Sequence, residues 1–159
     1  MKLPYKTYSL LMVAAAVLCC SCFASAQSGV AVVVSPHNPQ SNIGMGDLRK
    51  IFVGEKRNWS DGSPVKLFTR TSGTKEHDAL LKLIGMSETE YKQYWRSRVY
   101  DGEAQGEPVA LPSNGMQREA VQTYAGGIAL VDASEVKLGM KTLKIDGKSP
   151  GDPGYPLGQ

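Results

Sequence analysis

The chain has 159 residues, of which 42% are hydrophobic and 21% charged, and its formal net charge is +3. That length supports one domain with a buried core, and the composition is far from the sparse-apolar, high-charge balance of a disordered chain. Lys2 and Lys6 account for most of the excess positive charge. Beyond them basic and acidic residues nearly balance, so no overall field draws the chain to nucleic acid or an anionic membrane.

Residues 1–26 read as a signal peptide. Lys2 and Lys6 form a basic start, Leu10 to Leu18 an apolar centre, and Ala24-Ser25-Ala26 a small-x-small site with cleavage expected after Ala26. The apolar run is too short for a stable membrane span. Lipidation at Cys20 or Cys22 is the competing reading. Signal-peptidase cleavage is preferred because no Leu stands three residues before Cys22. All three cysteines, Cys19, Cys20 and Cys22, lie in this segment. The part from Gln27 onward is therefore expected to have no disulfide, thiolate nucleophile or Cys-ligated zinc. The expected location is the periplasm or the exterior, without a lipid anchor.

Val30 to Val34 is a continuous β-branched run, the pattern of a strand buried on both faces. A Pro- and Asn-rich loop follows to Asn42. From Gly46, Leu48, Ile51 and Phe52 fall at helical spacing, with Arg49, Lys50 and Glu55 outward and Gly54 as terminator. Val65 to Thr69 is a second strand. Ser72 or Thr71 is expected to cap the next helix, whose stripe is Leu80, Leu81 and Ile84 before Gly85. Ser87 to Glu90 is a capping box, opening a helix that carries Tyr91, Tyr94, Trp95 and Val99. Val109 to Leu111 is a third strand, and Ser113 or Asn114 caps a helix running through Tyr124. Gly126 and Gly127 break the chain before a fourth strand, Ile128 to Val131. Asp132 to Gly139 reads as one or two helical turns, and Thr142 to Ile145 as a fifth strand. Residues 147–159 form a Gly- and Pro-rich tail expected to be irregular. Strands alternating with helices predict a three-layer α/β domain over residues 27–146, with a mainly parallel five-stranded sheet.

Four motifs carry a family resemblance. They are Leu48-Arg49-Lys50-Ile51-Phe52-Val53-Gly54 with Asn58-Trp59-Ser60-Asp61; Arg70 with Ser72-Gly73-Thr74; Tyr124-Ala125-Gly126-Gly127-Ile128-Ala129-Leu130-Val131; and Ile145-Asp146-Gly147-Lys148 with Tyr155-Pro156-Leu157. In this order the chain resembles the substrate-binding proteins of phosphate ABC transporters. The resemblance covers one lobe, the second, of their two-lobed type II periplasmic-binding-protein fold. It implies phosphate or a similar oxyanion as ligand, no cofactor and no catalysis. The chain departs from the family in three ways. Only Thr71 separates Arg70 from Ser72, where the family has a longer loop with an acidic residue that accepts a phosphate proton. Leu130 stands where a Tyr is expected, and the first lobe has no counterpart.

The candidate oxyanion site is Arg70, Ser72, Gly73 and Thr74, with Ser113 and Asn114 as a second donor set. A helix start after a strand offers unpaired N–H groups, and arginine supplies a charged fork. An ordinary N-cap beside a surface arginine accounts for the first set equally well, and a plain cap is the preferred reading of Ser113 and Asn114. His77 and Asp78 are expected at the surface; adjacent on a helix, they point in different directions and do not suggest a metal site. His37 has no visible partner. The aromatic cluster of Tyr91, Tyr94, Trp95 and Tyr100 is better read as core than as an RNA- or sugar-stacking face. Asn58-Trp59-Ser60 fits a glycosylation acceptor but is read as the family's loop. No nucleophile–base pair stands out, which argues against a hydrolase. A module that kept the lobe, lost the ligand and binds an envelope protein or a second copy of itself is the alternative function.

Overall fold

A computed structural model describes residues 29–158. The signal-peptide and lipidation readings lie outside the described residues. The elements run β1 (Val30–Val34), β2 (Asn42–Ile43), α1 (Met45–Phe52), β3 (Lys66–Arg70), α2 (Lys75–Ile84), α3 (Glu88–Tyr100), β4 (Val109–Leu111), α4 (Asn114–Thr123), β5 (Gly127–Asp132), β6 (Lys141–Thr142) and β7 (Lys144–Ile145). A single 3₁₀ turn, Ala133–Glu135, follows β5.

The main sheet has five strands in the order β4-β3-β5-β1-β6. β3 pairs in parallel with β4 and β5, whereas β1 is antiparallel to β5 and β6. Four strands thus share one direction and β1 alone opposes them. The mixed α/β class and the mostly parallel sheet are as the sequence predicts. The apolar run of β1 sets its burial but carries no information about its direction.

Alternation along the strands feeds two cores. One face receives Val30, Val32, Val34, Ile128 and Leu130, and is covered by Leu48, Ile51 and Phe52 of α1, Leu80 and Leu83 of α2, and Tyr91 and Trp95 of α3. The other face, with Val33, Phe68, Ala129 and Val131, is covered by Val121 of α4. The aromatic residues divide accordingly: Tyr91 and Trp95 are core, whereas Tyr100 is 91% exposed.

The Ser87–Glu90 capping box forms as read. Other local readings shift. The expected fifth strand is divided at fully buried Leu143: β6 pairs with β1, and β7 pairs in parallel with β2 as a separate two-stranded ribbon. Two residues are too few to show periodicity, so β2 is not visible in the sequence. The cap of α1 comes from a distance, with Asp146 Oδ1 accepting the Met45 N–H at 3.3 Å. The tail holds no strand or helix, yet Tyr155 and Leu157 are buried in the larger core, and the Leu157 carbonyl accepts the Val30 N–H at 2.8 Å. Gly126 is required by contact: a Cβ there would stand 1.8 Å from the Pro64 carbonyl oxygen. Its own carbonyl accepts from Lys66 N–H and Trp59 Nε1–H, at 2.9 and 3.1 Å.

Candidate functional site

Three parallel strands end at one edge of the sheet, on Arg70, Leu111 and Asp132. Register puts Arg70 opposite Leu111. The starts of α2 and α4 rise from the same edge. In open α/β sheets this is where ligands bind, because helix N-termini gather at the carboxyl ends of strands. The sequence-predicted residues are therefore brought to one edge of the molecule.

The cap of α2 is Thr74 rather than Ser72 or Thr71; its Oγ1 accepts from His77 N–H at 3.4 Å. The reason lies one residue earlier. Gly73 has φ +80°, a left-handed turn that interrupts the helical path, so the first helical residue is Lys75. Thr74 Oγ1 also donates to the Thr71 carbonyl at 2.9 Å. Thr71, Ser72 and Gly73 are exposed, and the backbone N–H groups of Ser72, Gly73 and Thr74 bond to nothing among the described residues. α4 is capped by Ser113, whose Oγ accepts from Met116 N–H at 3.1 Å. Asn114 Oδ1 reaches the Asp132 N–H only at 3.5 Å.

Arg70 is already engaged. Its side chain is 12% exposed; one terminal nitrogen donates to the Leu111 carbonyl at 3.1 Å, and Nε lies 3.6 Å from the carboxylate of buried Glu76. That Nε is buried and makes no hydrogen bond among the described residues. Lys75 pairs with Asp132 at 2.9 Å. The Asp132 carboxyl is held below its ordinary range, first by the Ser134 hydroxyl and also by Lys75, against the opposing effect of burial. Arg70 and Lys75 thus each face a carboxylate of their own.

His77 corrects the surface expectation: it is 4% exposed, while Asp78 is exposed. The ring lodges edge-on against Tyr91, 5.6 Å between centroids, which an alternation of polar letters at a helix start does not reveal. Its Nδ1 lies 3.0 Å from the Arg70 carbonyl, and its Nε2 2.6 Å from Glu88. Glu88 also accepts from the Ser72 hydroxyl at 2.6 Å. The Glu88 carboxyl is lowered to about 2, the Ser72 hydroxyl being the largest cause. Sequence reasoning missed Lys75, Glu76, Glu88 and Asp132. Only the fold shows which charged or polar groups these residues meet.

No group of three metal-ligating residues occurs among the described residues, and no described helix is long and apolar enough to cross a membrane. A cleft of about 440 Å³ opens at the opposite end of β3, between Arg57, Val65, Trp95 and Glu103.

The fold is an α/β lobe similar to one part of solved substrate-binding proteins of ABC transporters. The particular likeness is to phosphate-binding members. A protein of Clostridium perfringens assigned as a phosphate ABC transporter substrate-binding protein, solved with phosphate bound, matches with a TM-score of 0.60 and 20% identity over 77% of this chain and 46% of its own. An ABC-type phosphate transport receptor of Vibrio cholerae matches with a TM-score of 0.60 and 18% identity, over 77% and 48%. PstS of Borrelia burgdorferi matches with a TM-score of 0.59 and 19% identity, over 77% and 49%. The chain thus spans about half the length of these structures. No family model and no curated protein matches its sequence.

Proposed function

We propose that this protein is an exported, non-enzymatic solute-binding-like protein that takes phosphate or a similar oxyanion weakly, at Arg70 and the start of α2. One observation carries the reading: a permanently charged arginine at the end of β3 beside an exposed turn whose Ser72, Gly73 and Thr74 N–H groups have no partner among the described residues. Such a turn offers what an oxyanion needs, N–H donors at a helix start and a nearby cation. The fold shared with phosphate-binding proteins supports the choice of ligand, and the Ala24-Ser25-Ala26 pattern supports export. Affinity is modest, on the order of 10 µM or weaker, about −7 kcal/mol. The turn is exposed, so water competes for every donor, and Glu76 and Asp132 already neutralise the nearby cations.

That internal pairing favours one alternative: an envelope interaction or dimerisation module that kept the lobe and no longer uses the edge for an anion. Isothermal titration with phosphate, sulfate and molybdate, beside a light-scattering mass, separates the two. Micromolar to millimolar heats that vanish in the Arg70→Ala protein support oxyanion binding. No heat with any anion, together with a mass above the monomer, supports the alternative.

A further inference from the structure

We propose that Glu88, bonding Ser72 directly and reaching the Arg70 carbonyl through His77, is the positioning residue of the Arg70–Thr74 turn, fixing from the first turn of α3 where the N–H groups of Ser72, Gly73 and Thr74 stand. The ligand part of this inference rests on the oxyanion reading above; the structural part does not.

The geometry is a chain of contacts that begins and ends on the turn. One Glu88 oxygen takes the Ser72 hydroxyl at 2.6 Å and the other faces His77 Nε2 at 2.6 Å. His77 Nδ1 then meets the Arg70 carbonyl at 3.0 Å. A carbonyl only accepts, so the Nδ1 contact calls for a ring proton on that nitrogen. The ring spans from α3 to the end of β3. Lys92 closes on the Ser72-bound oxygen of Glu88 at 2.9 Å, one helical turn along α3. Ser72 and Arg70 bracket Thr71, so the two ends of the linkage hold the turn on either side of a residue that is itself exposed.

The position of these groups argues against a merely decorative surface pair. His77 is buried against Tyr91, and Tyr91 is itself core, so the ring cannot swing away without disturbing α3. Ser72 by contrast is exposed, and its hydroxyl has solvent as an alternative. Its bond to Glu88 therefore orients the turn rather than filling a core. Without it, Gly73, at φ +80° and with open space around the site of a Cβ, is free to carry the turn elsewhere.

The test uses the full chain, ¹⁵N-labelled and free of anions, with backbone order parameters of Ser72, Gly73 and Thr74 as the main readout. Glu88→Ala and Ser72→Ala are expected to lower order in the turn while the remaining amide spectrum stays in place. Ser72→Thr, which keeps the hydroxyl, restores it. If Glu88→Ala does not fold, the exposed Ser72→Ala and Ser72→Thr pair decides alone. A turn equally ordered in Ser72→Ala and native protein overturns the proposal, as does loss of order that Ser72→Thr fails to restore. Phosphate titration adds a separate arm: Ser72→Ala lowers affinity about three- to tenfold, as the N–H groups of the turn are held less firmly. If the native protein takes no phosphate, the oxyanion reading fails while the order parameters still decide the positioning role.

Discussion

The starts of α2 and α4 stand on the same edge of the sheet and are capped alike. Thr74 Oγ1 accepts from His77 N–H at 3.4 Å, and Ser113 Oγ from Met116 N–H at 3.1 Å. What precedes each cap differs. Before Thr74 come Arg70 and the left-handed Gly73, which lengthen the approach into a turn with three N–H groups that have no partner among the described residues. Before Ser113 comes Pro112, which has no N–H to offer, and no cation precedes it within the strand. A hydroxyl at a helix start is thus a stability device in both places. Only the residues ahead of the cap separate the candidate anion site from an ordinary helix start.

The comparison breaks most directly at Arg70. Arg70→Ala should weaken phosphate binding by roughly 1.5–3 kcal/mol, the range for a hydrogen bond to a charged group. That is on the order of ten- to a hundredfold in a calorimetric dissociation constant. Circular dichroism must show that the variant remains folded, since Glu76 is left buried without its partner. Unchanged affinity would move the site away from α2.

Gly73 comes next. Gly73→Ala places a side chain at φ +80° and should cost about 1–2 kcal/mol of stability in a denaturant titration. Phosphate affinity should fall with it as the turn is reshaped. A variant as stable as the native protein would show that the turn tolerates another path.

At the other helix the expectation reverses. Ser113→Ala should lower stability by about 1 kcal/mol through the lost cap, with phosphate affinity unchanged. A drop in affinity would mean that the α4 start belongs to the site after all.

The smallest effect is in acid. The Glu88 carboxyl, ordinarily near 4.5, titrates at about 2 in the fold. A lowered carboxylate contributes stability that is fully present above the ordinary value and is lost as pH falls through about 2. The side chain is about one-third exposed, so solvent screening keeps the contribution within roughly 1 kcal/mol. Thermal midpoints taken at pH 6, 4 and 2.5 should therefore fall slightly more for the native protein than for Glu88→Gln. Parallel curves would show that Glu88 adds nothing to acid sensitivity.

Much of this molecule is written locally. The β-branched run of Val30 to Val34 determines a strand buried on both faces, because burial depends on side-chain type. Ser87 to Glu90 determines the start of α3, because a capping box closes within four residues. Four motifs taken in chain order, Arg70 with Ser72-Gly73-Thr74 among them, suggest the family resemblance, and that motif after a strand suggests the candidate site. Tertiary structure alone decided the direction of β1, the division of the last strand at Leu143 and the burial of His77. It also decided that Arg70 meets Glu76, Lys75 meets Asp132 and Ser72 meets Glu88. Each of these joins separate elements, and the energy of a buried ring or an ion pair depends on distance in space and exclusion of water, which spacing along the chain does not encode.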